Sequence, residues 1–221
     1  MKSITKILNG YHPIFWIGFV GIIVFIFLYI TPIGSSLYLE YLFLSITFSV
    51  LGFVSKYDKK IWKKAVIYFI IGLFWEILTQ ASWTYTNNFL PIFYIYKDIP
   101  VAMLFYWIPV FSLAFFSFSY LIKKLRVNGL LAQIITIFSV FLVAESIGYN
   151  VLRIWNYNFN SIFLIPPYFL PPHIFIGYLF FGNLFLVFMR KKLYNPHYSI
   201  NFISRLAENP FRIIEDVMKG D

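Results

Sequence analysis

Apolar residues in this chain gather in long runs rather than in alternating or striped patterns. Six runs stand out, Pro13–Ile30, Leu37–Ser55, Ala65–Trp83, Val101–Ile122, Leu130–Asn150 and His173–Met189, separated by short polar breaks. A helix needs about 20 apolar residues to cross roughly 30 Å of hydrocarbon. Each run is of that order, so the expected fold is all-α, a polytopic six-transmembrane-helix bundle. Residues 1–194 read as a single transmembrane domain and 195–221 as a cytoplasmic amphipathic tail. In the tail Ile200, Phe202, Ile203 and Leu206 alternate at helical spacing with Asn201, Ser204, Arg205 and Glu208, as in a helix lying on a membrane surface.

Composition agrees with that reading and excludes several chemistries. Of 221 residues, 60% are hydrophobic and 12% charged, and mean hydropathy is +0.76; a soluble domain carries about a quarter charged residues. The net charge of +9 sits in clusters at alternate ends of the runs: Lys2 and Lys6; Lys56, Lys59, Lys60, Lys63 and Lys64; Lys123, Lys124 and Arg126; Arg190, Lys191 and Lys192. By the positive-inside rule both termini are cytoplasmic, in the cytoplasmic membrane, and Thr31–Ser36, Thr84–Pro100 and Val151–Pro172 face outward. The basic residues are thus topological signals, with anionic lipid rather than nucleic acid as their partner. There is no cysteine, which removes thiolate nucleophiles, disulfides and cysteine-ligated metals. His12, His173 and His197 fall on different faces of the membrane, so no metal site is expected. No Gly-rich phosphate loop or Gly-x-Ser-x-Gly motif occurs, and no cofactor is implied.

The middle and last thirds resemble one another. Trp83-Thr84-Tyr85 returns as Trp155-Asn156-Tyr157, and Asp98-Ile99-Pro100 aligns with Leu170-Pro171-Pro172, at an offset of about 72 residues. Glu76 and Glu145 match once a slip of three residues is allowed. Each copy reads as a glutamate-bearing helix, a Trp-x-Tyr exit, an irregular outer loop and a proline opening the next helix.

Ionisable groups inside a membrane are costly, about 2.5–3.5 kcal/mol on the lenient insertion scale, and are functional candidates by default. Glu76 and Glu145 lie inside the third and fifth runs, and Glu40 enters the second from the same outer side. Glu76, Gln80 and Trp83 follow i, i+4, i+7, and Glu145 and Tyr149 follow i, i+4, so each glutamate shares a stripe with hydrogen-bonding groups facing the bundle interior. Arg153, Lys97 and His173 are the outer cations able to pair with these acids. The competing structural role is helix stapling through hydrogen bonds to Gln133, Asn150 or Asn183. Trp83, Tyr85, Trp107, Trp155 and Tyr157 form an aromatic rim at the same depth, and ring faces stabilise positive charge. A glutamic acid beside such rings suits protonation of an alkene and shelter of the carbocation that results.

Glu76, the Trp83-x-Tyr85 exit, Asp98-Ile99-Pro100 and Trp107 together resemble the layout of membrane carotenoid-biosynthesis proteins, a group that includes heterodimer-type lycopene cyclases and bisanhydrobacterioruberin hydratases. Glu145, Trp155-x-Tyr157 and Pro171-Pro172 repeat it. Asp98 stands where that family has glycine. The resemblance implies a lyase or isomerase without cofactor, performing acid–base cyclisation, hydration or isomerisation of a lipophilic isoprenoid, with Glu76 and Glu145 catalytic. Gln80, Trp83, Tyr85, Asp98, Trp107, Tyr149, Asn150, Arg153, Trp155, Tyr157 and His173 are the expected substrate-binding residues. Two alternatives stand beside it. The chain also looks like the substrate-binding subunit of an energy-coupling-factor vitamin transporter, or it is a structural subunit of a membrane complex; a membrane-protein partner or a homo-oligomer is compatible with each.

Overall fold

The computed structural model describes residues 10–30, 37–80, 82–86, 93–95, 99–158 and 164–194. Asp98, Lys97 and the 195–221 tail lie outside them. The described chain is mostly helical: α1 (Pro13–Ile30), α2 (Leu37–Ser55), α3 (Ile61–Thr79), α4 (Val101–Lys123), α5 (Gly129–Val151) and α6 (Pro172–Tyr194), with two short strands, β1 (Trp83–Tyr85) and β2 (Trp155–Tyr157). By length and composition α4 and α5 are each long and apolar enough to cross a membrane.

The described residues between 10 and 113 and between 147 and 158 form one compact unit, and those between 114 and 146 and between 164 and 194 a second. In the first, α1 and α2 meet almost backbone to backbone. A Cβ on Gly18 would lie 2.5 Å from Ser49 Oγ, one on Gly21 3.0 Å from Ser45 Cβ, and one on Gly52 2.7 Å from Phe15 Cα. Small residues let helices approach this closely, and the contact then relies on dispersion and weak polar interactions.

Proline shapes the next contact. Pro109 lies inside α4 and has no N–H, so the Phe105 carbonyl one turn earlier loses its helical donor. Thr47 of α2 supplies a replacement, its hydroxyl standing 2.5 Å from the Phe105 oxygen and 2.8 Å from the Phe43 oxygen of its own helix. The α2–α4 contact is therefore keyed to the proline.

The third helix runs from Ile61 to Thr79, not from Ala65 to Trp83. Asp58 accepts the Lys60 N–H at 2.9 Å and pairs with Lys64, so the lysines that read as a polar break lie within the first turn. At the other end the Thr79 carbonyl accepts the Ser82 N–H at 2.8 Å, and the chain turns into β1. Trp83 therefore belongs to a strand and leaves the helical stripe assigned to it.

In the second unit Asn128 caps α5, its side chain accepting the Leu130 N–H at 2.9 Å. The helix contains π turns at Ile137–Phe141 and Ile147–Val151, one on each side of Glu145. Gln133, Ile137, Phe141 and Glu145 are all buried. Four-residue spacing drifts about 40° per step round a 3.6-residue helix, whereas a wider π turn holds such positions nearer one seam. Phe141 packs on Tyr178 and Phe185 of α6, at 5.8 and 6.0 Å between ring centroids.

Several helix faces left uncovered are apolar: Ile17, Val20 and Phe27 on α1, Val66, Ile70 and Phe74 on α3, and Ile176 and Phe180 on α6 are all more than half exposed.

Candidate functional site

Glu76 is 1% exposed, near the C-terminal end of α3. Both carboxyl oxygens are engaged. Trp107 of α4 donates its indole N–H to Oε1 at 2.5 Å, and Tyr85 of β1 donates its hydroxyl to Oε2 at 2.7 Å. Gly72, one turn earlier on α3, makes room for this: a Cβ there would stand 2.9 Å from Trp107 Cβ and 3.3 Å from Cγ.

The strands position Tyr85. Trp-x-Tyr has the period of a strand, so its two rings share one face and the middle residue points away. β1 and β2 pair antiparallel, Trp83 with Tyr157, Thr84 with Asn156 and Tyr85 with Trp155. In both, the tryptophan is buried, the middle residue exposed and the tyrosine half-buried. Further hydrogen bonds extend the ladder, from Thr86 N–H to Ile154 O at 2.8 Å and from Asn158 N–H to Ser82 O at 2.9 Å. The Thr86 hydroxyl also donates to the Arg153 carbonyl at 2.5 Å. Arg153 has φ 51°, a left-handed conformation at the turn from α5 into β2.

The Trp107 ring belongs to a larger aromatic cluster. Trp107 lies 6.1 Å from Trp75, 5.6 Å from Tyr106 and 5.6 Å from Phe111, while Trp155 lies 6.1 Å from Tyr106 and 6.4 Å from Trp83. Trp155 fits because position 148 is glycine: a Cβ there would come within 2.6 Å of Cζ2.

Glu145 is also 1% exposed and receives the Tyr178 hydroxyl of α6 at 2.5 Å. Tyr178 was not singled out in the sequence, although a signal existed. It stands six residues past the start of α6, as Trp107 stands six past the start of α4. Each glutamate thus meets an aromatic donor on the helix that follows it. Next to Glu145, the Ser146 hydroxyl donates to Tyr168 O at 2.9 Å, and the Tyr168 hydroxyl to Phe138 O at 2.8 Å.

Of the expected binding residues, Trp83, Tyr85, Trp107, Trp155 and Tyr157 fall in the first unit with Glu76. Tyr149 joins them there, its ring tilted against Tyr157 with centroids 4.7 Å apart. Gln80 is half-buried just past α3, while Asn150, Arg153 and His173 are exposed. Two of the suggested staples, Gln133 and Asn183, differ from the partners found. Gln133 Oε1 and Asn183 Oδ1 are buried without a hydrogen-bond partner among the described residues, and Asn183 Nδ2 donates instead to the Leu179 carbonyl at 2.6 Å. Among the described residues no group of three or more metal-ligating side chains gathers.

No protein-family model, curated protein or solved structure matches the chain.

Proposed function

We propose that the protein is an integral membrane enzyme performing acid–base chemistry on a lipophilic, isoprenoid-type substrate, with Glu76 as the proton-handling group. The observation that carries this reading is a carboxyl sealed from solvent and gripped on both oxygens by Tyr85 and Trp107, the latter packed among further aromatic rings. A buried acid in an apolar chain is costly and for that reason a functional candidate by default. In the reaction an alkene carbon takes a proton from the Glu76 carboxyl, leaving a carboxylate and a carbocation. Ring faces stabilise that cation by about 2 kcal/mol or more where water is excluded. Loss of a different proton to the carboxylate gives a cyclised or isomerised alkene, and capture of water followed by deprotonation gives an alcohol.

In this reading all six helices span the bilayer, with the lipid as their partner. Their lengths of 18 to 23 residues correspond to about 27–35 Å at 1.5 Å per residue. The uncovered apolar faces of α1, α3 and α6 are ordinary against lipid and unfavourable against water. The two glutamate-bearing segments are copies of one helical hairpin. Supporting that are the shared Trp-x-Tyr strands, the isolated bridges Tyr94–Pro100 and Ile165–Leu170 that precede α4 and α6, and the matched donors Trp107 and Tyr178. Glu145 is then a second candidate acid.

The test is conversion of candidate isoprenoids by membranes containing the wild type or Glu76→Gln. Product formation should fall by at least about a hundredfold, the usual scale of a general acid's contribution. Unchanged conversion by an inserted Glu76→Gln protein would remove Glu76 from the chemistry.

A further inference from the structure

The two donors on Glu76 are chemically unlike, and this separates a fixed side from an exchanging side. An indole N–H can only donate; it has no lone pair with which to take up a proton. A phenol hydroxyl donates and accepts at once. Trp107 therefore pins Oε1 without being able to pass a proton, and Gly72 lets its ring sit close enough to do so. On Oε2 the geometry differs: Tyr85 reaches in from a strand, 2.7 Å away, with its side chain half-buried rather than sealed. We propose that Tyr85 is the proton relay of Glu76, carrying protons between the enclosed carboxyl and the outer edge of the β1–β2 ladder. The inference rests on Glu76 being a proton-exchanging group, as the proposed function requires.

The step balances without any added reagent. The Tyr85 hydroxyl first turns from Oε2 towards a water at the half-exposed edge. The Oε2–H bond then breaks as a new O–H bond forms at the Tyr85 oxygen, and the hydroxyl's own proton passes to that water, leaving Glu76 as carboxylate. The phenol is regenerated by rotation, and one proton has moved outward; the reverse sequence reprotonates Glu76. Tyr85 is thus a positioning and relay residue whose contact is with the acid. Its aim is set by the ladder, since pairing with Trp155 and the Thr86–Ile154 hydrogen bond fix the backbone on both sides of it. Tyr157 holds the corresponding place in β2 but packs on Tyr149.

The experiment needs no substrate. Purified full-length protein in lipid nanodiscs is transferred into heavy water across a range of pH. The Glu76 carboxyl band is followed by infrared spectroscopy and assigned by its loss in Glu76→Gln. Tyr85→Phe keeps the ring and the strand but should slow deuterium exchange at Glu76 about tenfold or more, while Tyr120→Phe, at an exposed tyrosine of α4, leaves it at the wild-type rate. A fluorinated, more acidic tyrosine at position 85 should accelerate it. Exchange in Tyr85→Phe at the wild-type rate would overturn the relay and leave Glu76 an acid. Absence of any Glu76 carboxyl band in the wild type at every pH would overturn both the relay and the acid–base reading.

Discussion

Replacing Glu76 by leucine or by glutamine should separate what the carboxyl does for the fold from what it does in chemistry. Leucine removes both acceptors. The half-buried Tyr85 hydroxyl can turn to water, but the Trp107 indole N–H lies on a residue only 2% exposed and is left without an acceptor. An orphaned buried donor costs about 1–3 kcal/mol. Interhelical hydrogen bonds measured in a membrane average nearer 0.6 kcal/mol, and leucine avoids burying an acid, so a net loss of about 1–2 kcal/mol is expected. Glutamine is different. Its Oε1 accepts from Trp107, and its amide N–H₂ donates to Tyr85 once that hydroxyl rotates to accept, so every buried polar atom keeps a partner and the loss should stay below about 0.5 kcal/mol. Reversible unfolding in mixed micelles, followed by tryptophan fluorescence, would measure both variants. Adding Trp107→Phe to Glu76→Leu removes the orphaned donor and should recover part of the loss, giving a coupling energy of about 1 kcal/mol. If Glu76→Leu matched Glu76→Gln in stability, or if the double variant showed no coupling, the indole–carboxyl bond would not be an energetic feature of the fold.

The remaining predictions concern how the helices and strands are held. Thr47→Val leaves the Phe105 carbonyl freed by Pro109 without its donor and should cost about 1–2 kcal/mol; Pro109→Ala in that background restores a helical N–H and should return most of it, as thermal unfolding in detergent would show. Gly148→Ala places a methyl within 2.6 Å of Trp155 Cζ2, well inside the roughly 3.5–4.0 Å of a normal carbon contact. It should lower stability by about 1–3 kcal/mol and shift the tryptophan emission, whereas an unchanged spectrum and midpoint would refute the close approach. Gly18→Ala should already push α1 from α2, since its Cβ would stand 2.5 Å from Ser49 Oγ, and lower the unfolding midpoint in the same assay; an unchanged midpoint would refute the contact. Asn128→Ala removes the α5 cap and should cost about 1 kcal/mol, with Asn128→Asp neutral in the same unfolding assay.

What the sequence revealed and what it concealed divide by the range of the interaction involved. Run length locates helices because it depends only on neighbouring residues, and α1 and α2 have the predicted limits at both ends. The start of α3 was missed because Lys63 and Lys64 read as a polar break, and only the fold brings Asp58 back to Lys64. The Trp-x-Tyr segments were visible as a repeat yet not as partners. A three-residue strand has too little pattern to declare itself, and its hydrogen bonds lie about 70 residues away along the chain. Tyr178 and Thr47 were hidden for a related reason, since a tyrosine or threonine in an apolar run looks like filler until the acceptor opposite it is known. Each answers a vacancy elsewhere, Thr47 the donor missing at Pro109 and Tyr178 the acid at Glu145. In an apolar chain this suggests pairing such vacancies with available donors before assigning chemistry. Applied here, that accounting gives Glu145 a structural partner as well as Glu76, so burial alone does not choose between staple and acid for either. Donor type does not choose either, because each glutamate receives a phenol hydroxyl, which can pass a proton onward; what differs is the exposure of that phenol. Tyr178 is buried at 4% exposure whereas Tyr85 is half-buried, and that difference is why the proposed relay is placed at Glu76 rather than at Glu145.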